Sequence, residues 1–177
     1  MLGQKIGLLE ALPIFRGLSK EQTARILDVA VKAYFEAGDN IIARDTSGDT
    51  AYLILSGTAQ YYDFLGNPGA FEDLEPGCLV GEIAMFTETV HLLTVEAKTR
   101  VRALAFERGA VRRALERDPA IAQRISDNLV ARLRSFASGV KNLDNLLAQA
   151  GQDESQGYWL QGRPGPASPF FAASRSS

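Results

Sequence analysis

Five clusters of turn-forming residues lie close together in the first half of this 177-residue chain, and they constrain its fold more than any other feature. Each cluster leaves room for only a short strand before the next turn begins. Many short strands joined at regular intervals are typical of a β-sandwich or a β-barrel. The clusters read AGD at 37–39, TSGD at 46–49, SG at 56–57, LGNPG at 65–69 and EPG at 75–77.

Helical patterns flank this β-rich region on both sides. Residues 1–32 have apolar residues at helical spacing, and Ser19 with Gln22 forms a capping box that predicts the start of a second helix. After residue 107 the pattern is helical again, and Asp118 before Pro119 indicates a fresh helix start. We therefore expect an α+β fold, with helices at 1–32, strands at 33–106 and helices at 107–150.

The segment LVGEIAMFTETVHLLTV at residues 79–95 carries the clearest binding signal. Glu82 follows Gly81 at a turn where a short helix is predicted to begin. Its carboxylate can accept hydrogen bonds from a ribose hydroxyl, while the backbone N–H groups of Ile83 and Ala84 point toward an anion. This arrangement suits a ligand that carries a sugar next to a phosphate.

Four stretches of the chain resemble the cyclic nucleotide-binding domain of the catabolite activator (Crp/Fnr) family. They are LPIFRGLS, FEAGDNIIARDTSGDTAYLILSGTAQYYD, EPGCLVGE and LTVEAKTRVRALAFERGAVRRAL. The resemblance covers residues 3–150, and it implies an antiparallel β-roll, or jelly roll, between N-terminal helices and a long C-terminal helix. It also implies that residues 79–95 are the family's phosphate-binding cassette, with cyclic AMP or cyclic GMP as the ligand.

The end of this cassette departs from the family pattern. The family has an arginine followed by a small or hydroxyl residue, and His91 and Leu92 stand there in this chain. Loss of a charge-assisted hydrogen bond of about 1.5–3 kcal/mol weakens binding about 10- to 100-fold. Protonated His91 would compensate in part at mildly acidic pH. The alternative is that His91 is a solvated loop residue.

The long helix departs from the family pattern as well. The two positions that present hydroxyl groups to the adenine in the activator fall here on Phe136 and Ala137, so the base could stack on Phe136 without polar contacts. Arg132 matches an arginine that approaches the cassette glutamate in the family. The resemblance therefore implies a Glu82–Arg132 pair, and the alternative is an ordinary surface arginine.

The same helix, expected over residues 119–150, carries a narrow apolar stripe with spacings of three and four. Such a stripe is typical of a coiled-coil seam and predicts a homodimer; the alternative is a helix that folds back on its own domain. Residues 151–177 are rich in Gly, Ser and Pro, and we expect them to be disordered. The stripe consists of Leu133, Phe136, Val140, Leu143, Leu147 and Ala150.

Several function classes are not expected. One histidine, His91, and one cysteine, Cys78, cannot build a metal cluster or an internal disulfide, and no catalytic set is present. We therefore expect no enzyme activity and no metal or cofactor, with Cys78 a small buried residue in a strand. No apolar run approaches the roughly 18 residues of a membrane span, and no signal peptide is present, so the expected location is the cytoplasm.

Sequence-specific DNA binding is not expected either. A helix-turn-helix needs two helices around a tight turn, and the 27 residues after Ala150 do not supply them. Residues 100–134 contain nine arginines and four acidic residues. Such a block suits contact with nucleic acid, with a bound anion or with the acidic half of the chain, and the plainer interpretation is a solvated helix surface.

Three functional hypotheses follow. The first is a cyclic nucleotide sensor that binds cyclic AMP or a related ligand weakly and signals to an unidentified effector protein. The second is a degenerate cyclic nucleotide-binding fold that acts as a ligand-independent module for dimerisation or protein interaction. The third is a transcription regulator that lacks its DNA-binding part.

Overall fold

A computed structural model describes residues 2–62 and 73–134 of the chain. The chain divides into two units, Met1–Val130 and Ala131–Ser177. In the second unit only residues 131–134 are described, and they are helical. Phe136, Ala137, the rest of the apolar stripe and the tail at 151–177 lie outside the described residues.

The chain begins with helices, as predicted. They are α1 (Leu2–Ala11), a 3₁₀ turn (Pro13–Phe15) and α2 (Lys20–Leu27). The Ser19 hydroxyl accepts the Gln22 N–H at 3.2 Å, and the Gln22 side chain accepts the Ser19 N–H at 2.9 Å. The predicted capping box at the start of α2 is therefore confirmed.

Nine antiparallel strands form three sheets. The order is β1-β9-β4-β6 in the first sheet, β2-β8-β5 in the second and β3-β7 in the third. The strands are β1 (Val31–Phe35), β2 (Asn40–Ile42), β3 (Ser47–Gly48), β4 (Thr50–Ser56), β5 (Ala59–Tyr62), β6 (Leu79–Val80), β7 (Thr89–Val90), β8 (Thr94–Ala97) and β9 (Val101–Glu107). This count applies to the described residues.

The boundary between the helices and the strands lies earlier than predicted. Helix α2 ends at Leu27, and β1 already begins at Val31, before the expected boundary at residue 33. Val31 pairs with Ala105 in β9. Pairing with a distant strand therefore decides the conformation here, and the local helical spacing does not show it.

The two faces of the four-stranded sheet pack against different partners. One face meets the helices in a core that includes Leu9, Phe15, Leu53 and Phe106. The other face meets the second sheet in a core that includes Ile54, Val80, Val95, Val101 and Ala103. The alternation of side chains along β4 and β9 serves both cores, because successive residues of a strand point to opposite faces.

The chain returns to helix after β9. Helix α3 covers Arg108–Arg117, and residues 119–134 are also helical. The Asp118 carboxylate accepts the backbone N–H groups of Ala120 at 3.2 Å and Ile121 at 3.4 Å, which confirms the predicted helix start. The predicted α+β fold with antiparallel sheets is confirmed for the described part of the chain.

Cys78 corrects one detail of the sequence analysis. It was expected inside a strand and buried, but it is half-buried and directly precedes the two-residue strand β6. Its carbonyl accepts the Ile54 N–H at 2.9 Å, so it continues the ladder between β4 and β6. The turn at Gly77, with a φ of 99°, comes immediately before Cys78.

Candidate functional site

The candidate site begins at Gly81, directly after β6. Gly81 has a φ of 70°, in the left-handed region that favours glycine. A Cβ atom at this position would lie 3.0 Å from the Thr50 carbonyl oxygen and 3.0 Å from the Ile42 side chain. Backbone angle and space both require glycine here, which fixes the direction in which the next residues leave the sheet.

A second 3₁₀ turn, Glu82–Met85, follows at once. Ala84 and Met85 are buried and anchor the turn, Glu82 is half-buried, and Ile83 is 51% exposed. The turn therefore presents its first two residues outward while the last two hold it to the core. This is the arrangement that Gly81 and Glu82 predicted from the sequence.

The backbone N–H groups of this turn correct one expectation. The Ala84 N–H donates to the Gly81 carbonyl at 2.9 Å, so it already has a partner and does not point freely toward an anion. A 3₁₀ turn closes hydrogen bonds between residues three apart, and this bond is its first. The N–H of Ile83, one residue earlier, is not part of that bond and stays the predicted donor to the anion.

The far end of the cassette is joined to the turn between β2 and β3. Strand β7 pairs with β3 through Ser47–Val90 and Gly48–Thr89. The His91 N–H donates to the Thr46 carbonyl at 3.0 Å, and the Asp45 N–H donates to the His91 carbonyl at 2.8 Å. The backbone around His91 is therefore held on both sides.

The His91 ring packs directly on Gly48. Gly48 is buried, and a Cβ atom built on it would overlap the imidazole. His91 is half-buried and lies in a loop; its role at the phosphate stays a prediction, as does the alternative of a solvated loop residue. Leu92, the next residue, is 70% exposed.

Arg108 contacts two consecutive residues, Gly48 and Asp49, at the junction between β3 and β4. Its guanidinium donates to the Gly48 carbonyl at 3.3 Å, and its backbone N–H donates to the Asp49 carbonyl at 2.7 Å. Sequence reasoning missed both Gly48 and Arg108. TSGD at 46–49 was recognised as a turn, but nothing in the sequence places it against the cassette.

The remaining predicted site residues lie on the C-terminal helix. Arg132 is helical and exposed. Phe136 lies outside the described residues, so the predicted contact with the base stays a prediction, as does the Glu82–Arg132 pair.

Two tyrosines lie close to the inner face of the roll. Burial, and then the nearby Asp49, raise the pKa of Tyr52 above its ordinary value of 10.0. Burial, and then Cys78, raise the pKa of Tyr61 in the same way. Tyr52 also packs edge-on against Phe35, with ring centroids 5.4 Å apart. Both phenols are therefore neutral at ordinary pH and contribute no charge to the interior.

Two further observations concern the described residues alone. Within 2–62 and 73–134, no three side chains of the kinds that bind metal ions come together. No helix in these same ranges has the length and apolarity that crossing a bilayer would demand.

Comparison with known proteins identifies a matching sequence family. Residues 32–118 match the sequence profile of the family described as "Cyclic nucleotide-binding domain". A cAMP-dependent protein kinase regulatory subunit of Schizosaccharomyces pombe is 34% identical over 108 residues, covering 61% of this chain and 26% of that subunit. The cGMP-dependent 3',5'-cGMP phosphodiesterase A of Dictyostelium discoideum is 32% identical over 102 residues, covering 57% of this chain and 11% of that enzyme. The chain thus spans about a quarter or less of these relatives.

Solved structures share the fold. The N-terminal domain of a transcriptional regulator from Streptomyces coelicolor A3(2) has a TM-score of 0.69 and 24% identity, covering 75% of this chain and 94% of that one. The Thermus thermophilus catabolite activator protein has a TM-score of 0.62 and 24% identity, covering 75% and 63%. The predicted jelly-roll architecture is confirmed by this likeness.

Proposed function

We propose that this chain, whose residues 32–118 match the cyclic nucleotide-binding domain family, is a regulatory domain that binds cyclic AMP or a related cyclic nucleotide weakly. The observation that carries the proposal is the left-handed Gly81 at the start of the Glu82–Met85 turn. It presents a half-buried carboxylate and the Ile83 amide side by side.

Each end of the ligand has a partner in this scheme. Glu82 accepts a hydrogen bond from the ribose hydroxyl, and the Ile83 N–H donates to the cyclic phosphate. A charge-assisted hydrogen bond of this kind is shorter and about twice as strong as a neutral one. Ala84 acts by packing, since its own N–H is bonded to Gly81.

Binding is weak near neutral pH because the cassette lacks the arginine of the family. Its absence lowers the affinity about 10- to 100-fold, the equivalent of one charged hydrogen bond. His91 stands at the position of that arginine, so we expect its ring to meet the phosphate end of the ligand.

The domain acts as a sensor and not as an enzyme, and it needs no metal or cofactor besides its ligand. A ligand changes an equilibrium only through its different affinity for the two states. We expect that difference to reach an effector protein through the C-terminal helix at 119–150, which also forms a homodimer. Arg132 and Phe136 on this helix remain predicted contacts of the ligand.

Isothermal titration calorimetry of the full chain with cyclic AMP and cyclic GMP tests the proposal. We expect saturable binding by at least one nucleotide, lost in Glu82→Ala and kept in Glu88→Ala. Glu88 is an exposed carboxylate six residues after Glu82 in the same cassette and serves as the matched control. No heat with either nucleotide at millimolar concentration, at pH 6 and pH 8, would refute it.

A ligand-independent module for dimerisation or protein interaction is the second candidate. Leu92 favours it, because a 70% exposed leucine stands where the family has a small or hydroxyl residue next to the phosphate. An exposed apolar side chain suits a protein contact better than an anion. In that case the calorimetric titrations give no heat, and Leu92→Ser weakens association between chains.

A further inference from the structure

A groove lies between α1 and strands β1, β9 and β4 of the four-stranded sheet. It encloses about 260 Å³. Its apolar floor includes Leu8 and Leu55, and its rim carries Lys5, Lys32 and Arg102. Tyr34, 59% exposed, lies at the same edge.

Strand register explains why this part of the sheet remains open. Lys32 pairs with Leu104, and Tyr34 pairs with Arg102. The side chains of Lys32 and Tyr34 therefore lie on the sheet face that packs against the helices at Leu104. Leu104 is buried in the core that the helices form with this face, whereas Tyr34 and Arg102 are exposed. Strand β1 is also the outer strand of its sheet within the described residues, so one of its edges has unpaired backbone groups.

The three cations of the rim make no ion pair with any acidic side chain in the described part of the chain. The one hydrogen bond recorded for them there is from the Arg102 Nε to the Ser56 hydroxyl at 2.7 Å, with a neutral acceptor. Three positive side chains around an apolar floor complement a ligand that is acidic and partly apolar. The groove is smaller than the roughly 300–1,000 Å³ of pockets that enclose a drug-sized molecule. It therefore suits one or two side chains of a larger partner.

We propose that this groove binds an acidic, extended segment of a partner protein. The segment lies along the free edge of β1, where backbone hydrogen bonds give affinity and alternate side chains enter the groove. An apolar side chain of the segment occupies the floor over Leu8 and Leu55, and its acidic side chains meet Lys5, Lys32 and Arg102. This surface is separate from the cassette, so the inference stands without the proposed ligand.

Fluorescence anisotropy of a labelled synthetic peptide tests the proposal; Glu, Leu and Glu occupy every second position of this peptide and Thr the positions between, so that acidic and apolar side chains share one face of the extended segment. We expect saturable binding to the full chain, weaker by at least tenfold in Lys5→Glu/Lys32→Glu and weaker in 0.5 M salt. A second peptide, with Gln in place of every Glu, should bind at least tenfold more weakly. Glu82→Ala should bind the acidic peptide as the parent does, which separates this result from the cassette.

Lys20→Glu is the matched control for charge. Lys20 is exposed at the start of α2, outside the groove, and its replacement changes the net charge in the same direction. Unchanged peptide binding in Lys20→Glu, with unchanged circular dichroism in all variants, supports a local site. No binding at millimolar peptide, equal loss in Lys20→Glu, or equal binding of the Gln peptide would overturn the proposal. The proposal would also be overturned if inorganic phosphate displaced the peptide while Lys32→Glu left peptide binding unchanged.

Discussion

The imidazole of His91 lies directly against the Cα atom of Gly48. His91 directly follows strand β7 of the cassette, and Gly48 is the last residue of strand β3. Gly48 is buried because this ring covers it. The carbonyl of Gly48 in turn accepts a hydrogen bond from Arg108 at 3.3 Å, which connects the cassette to the first residue of α3. A ligand that moves His91 would therefore act on a turn that α3 also holds.

Gly48→Ala should force the His91 ring out of its place. Overpacking of this kind costs about 1–3 kcal/mol, and urea unfolding should show it as a lower free energy of unfolding. In Gly48→Ala/His91→Ala the overlap is gone, so the double variant should be more stable than the sum of the single changes predicts. Gly7→Ala, with no heavy atom within 4 Å of the added methyl, is the control and should not destabilise. Additive effects would contradict the contact.

Asp118→Ala should destabilise the protein by about 1 kcal/mol, within a range of roughly 0.5–2, because two helix N–H groups lose their acceptor. Asp118→Asn should recover most of the loss. Asp118 also forms an ion pair with Arg25, whose side chain is 61% exposed. Such pairs contribute little, so Arg25→Ala should cost well under 1 kcal/mol. Thermal or urea unfolding checks all three, and an equal loss in Arg25→Ala would assign the effect to the ion pair.

Alkaline titration should detect three late-ionising tyrosines. Hydrogen bonding to Glu96, at 3.0 Å, is the main cause that raises the pKa of Tyr62, while burial does so for Tyr52 and Tyr61. A pKa raised in the folded state stabilises the protein below pH 10, and this stability is lost as the pH rises through the folded pKa. The absorbance of tyrosinate, followed as the pH rises, should show the late ionisation of these tyrosines. Glu96→Gln should lower the pKa of Tyr62, whereas Glu88→Gln should not.

Leu133→Glu should weaken the proposed homodimer. Leu133 is 67% exposed and begins the apolar stripe, and a charge there would be desolvated against a partner helix. Ala131→Glu is the matched control, since residue 131 is exposed and lies off the stripe. Sedimentation velocity should show a loss of dimer in the first variant alone. A monomer at every concentration of the parent chain would rule the dimer out.

Local signals in the sequence identified much of the fold. The capping box at Ser19, the helix start at Asp118 and the turn at Gly81 each depend on a few neighbouring residues, and each lies where the sequence predicted it. Pairing between distant segments was harder. The early start of β1 at Val31 depends on β9, which lies about 70 residues later in the chain.

The candidate site was predictable at one end only. Glu82 and its turn follow from adjacent residues, but the contact between His91 and Gly48 joins two loops that are 43 positions apart in the sequence. The sequence predicts that the backbone N–H of Ala84 is free to bind an anion. The 3₁₀ conformation instead closes it onto Gly81.

The most direct test of the central claim is calorimetric titration of cyclic AMP at pH 8 and pH 6 into the parent chain and into His91→Arg/Leu92→Ser. The account predicts weak binding by the parent at both pH values, because the cassette has no arginine to contact the phosphate. The double replacement should bind about 10- to 100-fold more tightly at pH 8, with little further change at pH 6. Adding Glu82→Ala should remove that gain. A double replacement that binds no more tightly than the parent at either pH would contradict the account and favour a ligand-independent scaffold.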